Sequence, residues 1–264
     1  MSERPKRLLT QNSELREIDV FNWSIPAWVV ELSDGSKFNA CPSAGECAKL
    51  CYARNGTYNF PTVKAAHLRN LEFVLEDLPG WQLAMDEELF HSRFDRSGVA
   101  RDMAAPEGVE LDGWLHAWIQ LGGKAVRIHD AGDFFSDEYL LAWLEIADNH
   151  RDVLFYAYTK EVSRFRRLVE PNPPINFRWL YSMGGREDHL IDVSVDRHAD
   201  VFPDEDAIEE AGYQSQHDSD LYAVTLATTR VGIPANNIPH FRKKQGDATF
   251  GSLQRGRHSL PLAR

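Results

Sequence analysis

Between residues 125 and 182 the chain repeats one arrangement: a short apolar run, a polar loop, then a helical stretch. Ala125-Val126-Arg127-Ile128-His129 reads as a strand and Asp130-Ala131-Gly132-Asp133 as the loop at its end. Ser136-Asp137-Glu138 caps the helix that follows, which runs to about Asn149. Leu154-Phe155-Tyr156-Ala157-Tyr158-Thr159 is a second strand, and Lys160 to Leu168 a second helix. Asn176-Phe177-Arg178-Trp179-Leu180-Tyr181-Ser182 is a third strand, closed by Met183-Gly184-Gly185, and Leu221-Tyr222-Ala223-Val224-Thr225 reads as a fourth. Strands alternating with helices call for a parallel sheet with helices on its faces. The expected fold class is α/β, a partial or full (β/α) barrel of the TIM type with parallel strands. Ligands of such folds bind at the C-terminal strand ends, which would gather Asp130, Gly132, Asp133, Thr159, Lys160, Ser182, Gly184 and Gly185 around one mouth.

Upstream, residues 1–24 read as a polar lead-in. Trp28-Val29-Val30-Glu31-Leu32 reads as a strand, and Asp34-Gly35 turns it into a hairpin with Lys37-Phe38. Val63 to Leu75 has helical periodicity, and Leu78-Pro79-Gly80 breaks it. Residues 81–121 read as helical with an interruption around Ala105-Pro106-Glu107-Gly108, and Trp114 and Trp118 as core packing. Residues 25–241 would form the single barrel-like domain and residues 242–264 a basic tail carrying Arg242, Lys243, Lys244, Arg255, Arg257 and Arg264.

The charge balance is 29 basic against 40 acidic residues, a net −11. That excludes a binder that meets nucleic acid over its whole surface and leaves room for a local basic patch. Much of the acid lies in residues 186–220, read as a solvated face and loop. No run approaches the ~18 apolar residues of a membrane helix, and the charged start is not a signal peptide. The expectation is a cytoplasmic protein with no membrane partner.

Three cysteines occur, Cys41, Cys47 and Cys51, all in one short loop. An odd, clustered number in a reducing compartment is poorly explained by disulfides. Three readings stay open. The thiols can be unrelated small apolar groups. They can hold a structural zinc ion with a fourth ligand such as His67 or His129, although paired Cys-x-x-Cys units are absent. Or they can hold a [4Fe–4S] cluster that leaves one iron without a protein ligand. Pro42 and Gly45 suit a loop that wraps a cluster and aims backbone N–H groups at its sulfurs.

Several runs resemble a family of actinobacteriophage and bacterial proteins called gene product 88. They are Cys41-Pro42 with Glu46-Cys47-Ala48-Lys49-Leu50-Cys51-Tyr52-Ala53, Arg127-Ile128-His129-Asp130-Ala131-Gly132-Asp133-Phe134-Phe135-Ser136, and Phe155-Tyr156-Ala157-Tyr158-Thr159-Lys160. The similarity covers roughly residues 25–250. The same layout is more remotely similar to radical S-adenosylmethionine enzymes, which set a cysteine loop after the first barrel strand and a glycine-rich, acid-ending motif after the second. Here the cysteines are more widely spaced than is usual there.

That second resemblance implies a [4Fe–4S] cluster held by Cys41, Cys47 and Cys51, with S-adenosylmethionine as cosubstrate. It implies Tyr52, Ala131, Gly132, Asp133, Ser182 and Arg186 as cofactor-binding residues, and Lys160 and Asp130 as catalytic candidates. Loop and helix-capping duty for the two aspartates, or a surface lysine, would explain the same residue types. The implied partners are an electron donor such as flavodoxin or ferredoxin and an unknown substrate, with nucleotide or nucleic acid among the candidate classes. A cluster that activates substrate directly as a Lewis acid is a variant of this reading. The competing one is a zinc-stabilised interaction module that binds nucleic acid or protein through the basic tail.

Overall fold

The computed structural model describes residues 4–95, 112–236 and 238–258. The described strands are β1 Val20–Trp23, β2 Val29–Glu31, β3 Lys37–Asn39, β4 Lys124–Ile128, β5 Val153–Thr159, β6 Phe177–Ser182, β7 His198–Phe202, β8 Gln214–Ser215 and β9 Arg230–Pro234. The helices are α1 Ser13–Glu17, α2 Pro61–Glu76, α3 Leu78–Leu89, α4 Ser92–Asp95, α5 Gly113–Gln120 and α6 Asp137–Asn149, then α7 Val162–Leu168, α8 Glu205–Glu210, α9 Tyr222–Thr225, α10 Pro239–Gln245 and α11 Phe250–His258.

Seven strands form one sheet in the order β1-β4-β5-β6-β7-β9-β8. Every pairing in it is parallel, so all the C-terminal strand ends lie along one edge. β2 and β3 form the separate antiparallel hairpin expected around Asp34-Gly35. Among the described residues no pairing joins β1 to β8. The described residues thus form a mixed α/β fold on a central seven-stranded parallel sheet with β1 and β8 at its ends.

Both faces of the sheet are covered, which is why β5 is apolar along most of its length. Phe21, Trp23, Val126, Ile128, Phe155 and Ala157 pack on one face with Trp81 and Met85 of α3, Tyr139 and Trp143 of α6 and Phe165 of α7. Val20, Ala125, Leu154, Tyr156, Leu180 and Val231 pack on the other with Leu15 of α1, Trp118 of α5 and Val224 of α9. On the first face the Trp81 ring lies 5.1 Å from Trp143, 5.3 Å from Tyr139 and 5.6 Å from Trp23. Each such aromatic removes about 150–250 Å² from water, an upper-bound gain of ~4–6 kcal/mol apiece. The Trp23 indole N–H donates to the Tyr139 hydroxyl at 2.7 Å, so this core is also polar-matched.

Several expectations change. The lead-in of residues 1–24 contains α1 and β1, and Leu8, Leu9 and Leu15 are buried. Its polar composition hides three apolar anchors. Leu78-Pro79-Gly80 opens α3 as well as ending α2: the Asp77 carboxylate accepts from the Gly80 N–H, and Pro79 sits in the first turn, where no N–H is needed. Tyr222–Thr225 forms helix α9 with Leu221 at its N-cap, not a strand, and the Arg197 guanidinium ties it down through the Ala223 and Leu226 carbonyls. The fourth inner strand is instead β7, inside the stretch read as a solvated acidic loop. β7 is possible there because its polar side chains are paired: His198 meets the Asp196 carbonyl and the Tyr213 hydroxyl, and Asp200 accepts from the amides of Val201 and Gly251. The interruption at Ala105–Gly108 lies outside the described residues. Trp118 packs in the core, and Trp114 packs beside it. Residues 242–258 do not hang free of the domain. Phe241 of α10 and Phe250 of α11 are buried beside Leu50 and Cys47. Among the described residues no helix is long and apolar enough to cross a membrane.

Candidate metal centre

The cysteine loop leaves β3 and is sewn to the C-terminal edge of the sheet by its own backbone. The amides of Gly45 and Cys47 both donate to the Gly184 carbonyl, at 3.2 and 3.1 Å. Ala44 forms an antiparallel bridge with Gly185, and the Arg186 amide donates to the Ser43 carbonyl. Such close approach requires glycine: a Cβ on Gly45 would stand 2.8 Å from the Gly184 oxygen and 2.1 Å from Gln254 Oε1. Gly184 has φ +92°, a backbone that other residues rarely adopt.

All three cysteines are partly buried and none is in a disulfide. Cys41 Sγ accepts from the Trp28 amide at 3.2 Å. Burial pushes the Cys41 thiol well up, as do the charges of Asp133, Cys47 and Cys51. Burial and Cys47 push Cys51 up to about 12, against the pull of Lys160 and Arg54. The thiols are therefore near enough to act on one another's charge. Among the described residues, no three His, Cys, Asp or Glu side chains converge as ligands of one ion.

Lys160, directly after β5, brings a cation into this group. Its ammonium donates to Ser182 Oγ at 2.7 Å. Burial works against its charge, but Cys47, Asp133, Asp188 and Cys41 together outweigh burial and raise its pKa. Asp188 receives the amides of Gly184 and Gly185 at 2.8 and 2.7 Å, and burial raises its pKa. Glu161 accepts from the Ser43 amide at 2.8 Å and pairs with Arg164. Burial, then Asp133, pushes Glu161 up to about 7.

Asp133 joins two strand ends. Its carboxylate accepts from the Phe134 amide, the Thr159 hydroxyl and the Lys160 amide at 2.8, 2.8 and 3.0 Å. Burial raises its pKa against those bonds. Three of roughly four acceptor positions are thus in use. Gly132, at φ +94°, leaves no room for a Cβ against Ile25, and the Ala131 carbonyl accepts from the Ile25 amide. These three residues shape the loop between β4 and α6.

Asp130 faces a second group. Tyr58 donates to its carboxylate at 2.5 Å, Tyr52 to its carbonyl at 2.5 Å, and Arg127 lies 3.5 Å away. Tyr52 follows Cys51 directly, so one peptide bond joins the two groups. Arg186 is exposed beside a shallow cavity of about 400 Å³ lined by Trp28, Gly45, Lys49 and Gln254. His129 is a neutral core residue: burial lowers its pKa to about 3, and its Nε2 meets the Tyr139 hydroxyl.

The sheet also carries a polar network that residue-type reasoning passes over. Arg127 Nη1 binds Asp220 at 3.0 Å, the Tyr156 hydroxyl binds the same carboxylate, and the Tyr158 hydroxyl binds Gln216 at 2.5 Å. A lone arginine inside an apolar strand was its signal. Asp220 lay unmarked among the many acids of its stretch.

The profile of the family described as Gene product 88 matches residues 3–258. The Gene 88 protein of Mycobacterium phage D29 is 29% identical over 131 residues, 50% of this chain and 46% of the relative. The Gene 88 protein of Mycobacterium phage L5 is likewise 29% identical over 131 residues. The match thus spans about half the length of these curated relatives. No solved structure matches the chain. The family profile accounts for nearly all of the sequence, from the lead-in through the cysteine loop and strand-end motifs to α11: the chain belongs to the Gene product 88 family.

Proposed function

We propose that this protein is a cluster-dependent enzyme of the radical S-adenosylmethionine kind, with Cys41, Cys47 and Cys51 as ligands of a [4Fe–4S] cluster. One observation carries the reading. The only cysteines of the chain share a loop that is hydrogen-bonded to the end of β6, beside a half-buried lysine at the C-terminal edge of a parallel sheet. The donor set fits the group: thiolates are the usual ligands of iron–sulfur clusters, and three of them leave one iron open. The three thiols also lie within range of one another's charge.

When bound, such a cluster supplies the electron that cleaves S-adenosylmethionine reductively. The chain's own residues then have separate tasks. Lys160 and Ser182 offer a cation and a hydroxyl to a carboxylate at the open corner. Asp133 keeps Lys160 and Thr159 in place. Asp130 lines the neighbouring cleft, and Tyr52 holds its carbonyl. The Lys160 cation would also lower the charge cost of a centre that must accept electrons from a donor such as flavodoxin or ferredoxin.

The test is purification without oxygen, with analysis of iron, acid-labile sulfide and zinc. About four irons and four sulfides per chain are expected, with 5′-deoxyadenosine formed after reduction in the presence of S-adenosylmethionine. Stoichiometric zinc without visible absorbance, even after anaerobic reconstitution, would overturn the proposal and favour a zinc-stabilised interaction module. Cluster without 5′-deoxyadenosine would overturn the radical chemistry alone.

A further inference from the structure

A cleft of about 680 Å³ lies between the N-terminal segment and α2 and reaches Asp130 at the strand ends. Its size falls within the roughly 300–1,000 Å³ of small-molecule sites. Its charge is the reverse of the molecule's. Lys6, Arg7 and Arg69 line it, and among the described residues none of the three is in an ion pair. Arg4 also lines it but is paired with Glu87. The one acid on the wall, Asp130, already receives Tyr58 and faces Arg127.

Three exposed cations without ion pairs around one cavity, in a chain of net charge −11, make a local positive field that attracts an anion. Arginine's planar fork matches phosphate oxygens, and lysine adds a point charge. The amides on the wall are committed internally: Asn22 to Ser24 Oγ, Asn70 to the Ser24 carbonyl, Gln11 to the Val20 carbonyl. They give the cleft fixed sides rather than free donors. The remaining wall holds two rings, Tyr58 and His67, with centroids 6.0 Å apart. Burial pulls His67 below the ordinary histidine range, so it presents a neutral ring instead of a further charge. Cations at the mouth and rings toward the strand ends are complementary to phosphate and base.

From this geometry we infer that the cleft binds a nucleoside phosphate, either free or as part of a single strand, with its phosphates on Lys6, Arg7 and Arg69 and its base toward Tyr58 and His67. Binding stands independently of the cluster; that the bound nucleotide is the substrate rests on the cluster-enzyme reading, because Asp130 is joined to Cys51 through Tyr52.

The test follows the anisotropy of fluorescein-labelled oligo(dT) on the intact chain across a salt series, with ATP and inorganic tripolyphosphate as competitors. The variant is Lys6→Glu with Arg7→Glu and Arg69→Glu. The control is Lys243→Glu with Lys244→Glu, exposed residues on α10. The cleft variant should lose at least about tenfold in affinity and flatten the slope of log K against log salt by about 2, three contacts at ~0.7 each on a single strand. The control should leave both unchanged. Displacement by ATP identifies a free nucleotide, and oligo(dT) binding that ATP does not displace identifies a strand. Tripolyphosphate competing as well as ATP would overturn the nucleoside, and loss of binding in the control alone would move the site to α10. No binding by any probe would overturn the inference entirely. Should the charge reversals fail to fold, the glutamine variants at the same positions give the same slope. Binding that survives in a protein found to hold zinc rejects the cluster reading and keeps the cleft; an intact cluster without binding does the reverse.

Discussion

His129 links the strand-end loop to acid stability. It sits at the end of β4 with φ +66°, 4% exposed, its ring edge-on to Phe134 at 4.6 Å. Burial alone lowers its pKa to about 3, against about 6.5 in an unfolded chain. A depressed histidine is neutral when folded, so the unfolded chain binds the extra proton. Stability is therefore complete above the unfolded value and is lost as pH falls from about 6.5 toward about 3. The two pKa values give a loss of about 2.5 kcal/mol between roughly pH 7.5 and 4.5. His129→Asn removes the titrating ring, and asparagine accepts a positive φ more readily than most residues. The variant will lose a fixed amount at every pH through the missing contact with Tyr139. Its stability should then fall with acid by about 2.5 kcal/mol less than that of the parent across the same window. Urea titrations read by tryptophan fluorescence at both ends measure this directly, and the carboxylates shared by both proteins cancel in the difference. Two stability curves that stay parallel across that window would refute the argument.

Other perturbations probe the centre itself. Gly45→Ala should destabilise by about 1–3 kcal/mol through overpacking against Gly184 and Gln254. Iron content after reconstitution should fall with it, and unchanged metal loading would show that the loop is not held by this contact. Asp133→Ala should cost about 3 kcal/mol or more, since a buried hydroxyl and two amides lose their acceptor; urea midpoints measure it, and a loss below ~1 kcal/mol would contradict the role of a latch.

The parts of the fold legible in the sequence are those where local preference and burial agree. β4, β5 and β6 are apolar runs buried on both faces, and their glycine and acid ends mark the edge where the site lies. The Asp34-Gly35 hairpin follows from its turn residues in the same way. β7 and β1 were hidden because tertiary pairing overrides composition. His198 and Asp200 look like loop residues until Tyr213 and the Gly251 amide satisfy them. Asn22 in β1 is buried with Ser24 as its partner. The same holds for the site. The cysteines and Lys160 stand out by type and position. Glu161 and Asp220 act through contacts far away in sequence, which no local pattern encodes.

The helix that closes the cysteine loop also sets an order of events. The Glu46 amide donates to Gln254 Oε1 across 208 positions, and Gly251 is fastened to Asp200. On a ribosome the loop therefore emerges 208 positions ahead of its clasp, and over that interval its thiols lack this cover. Forming the loop and fastening it are then separable acts, with every strand of the sheet but β1 made between them.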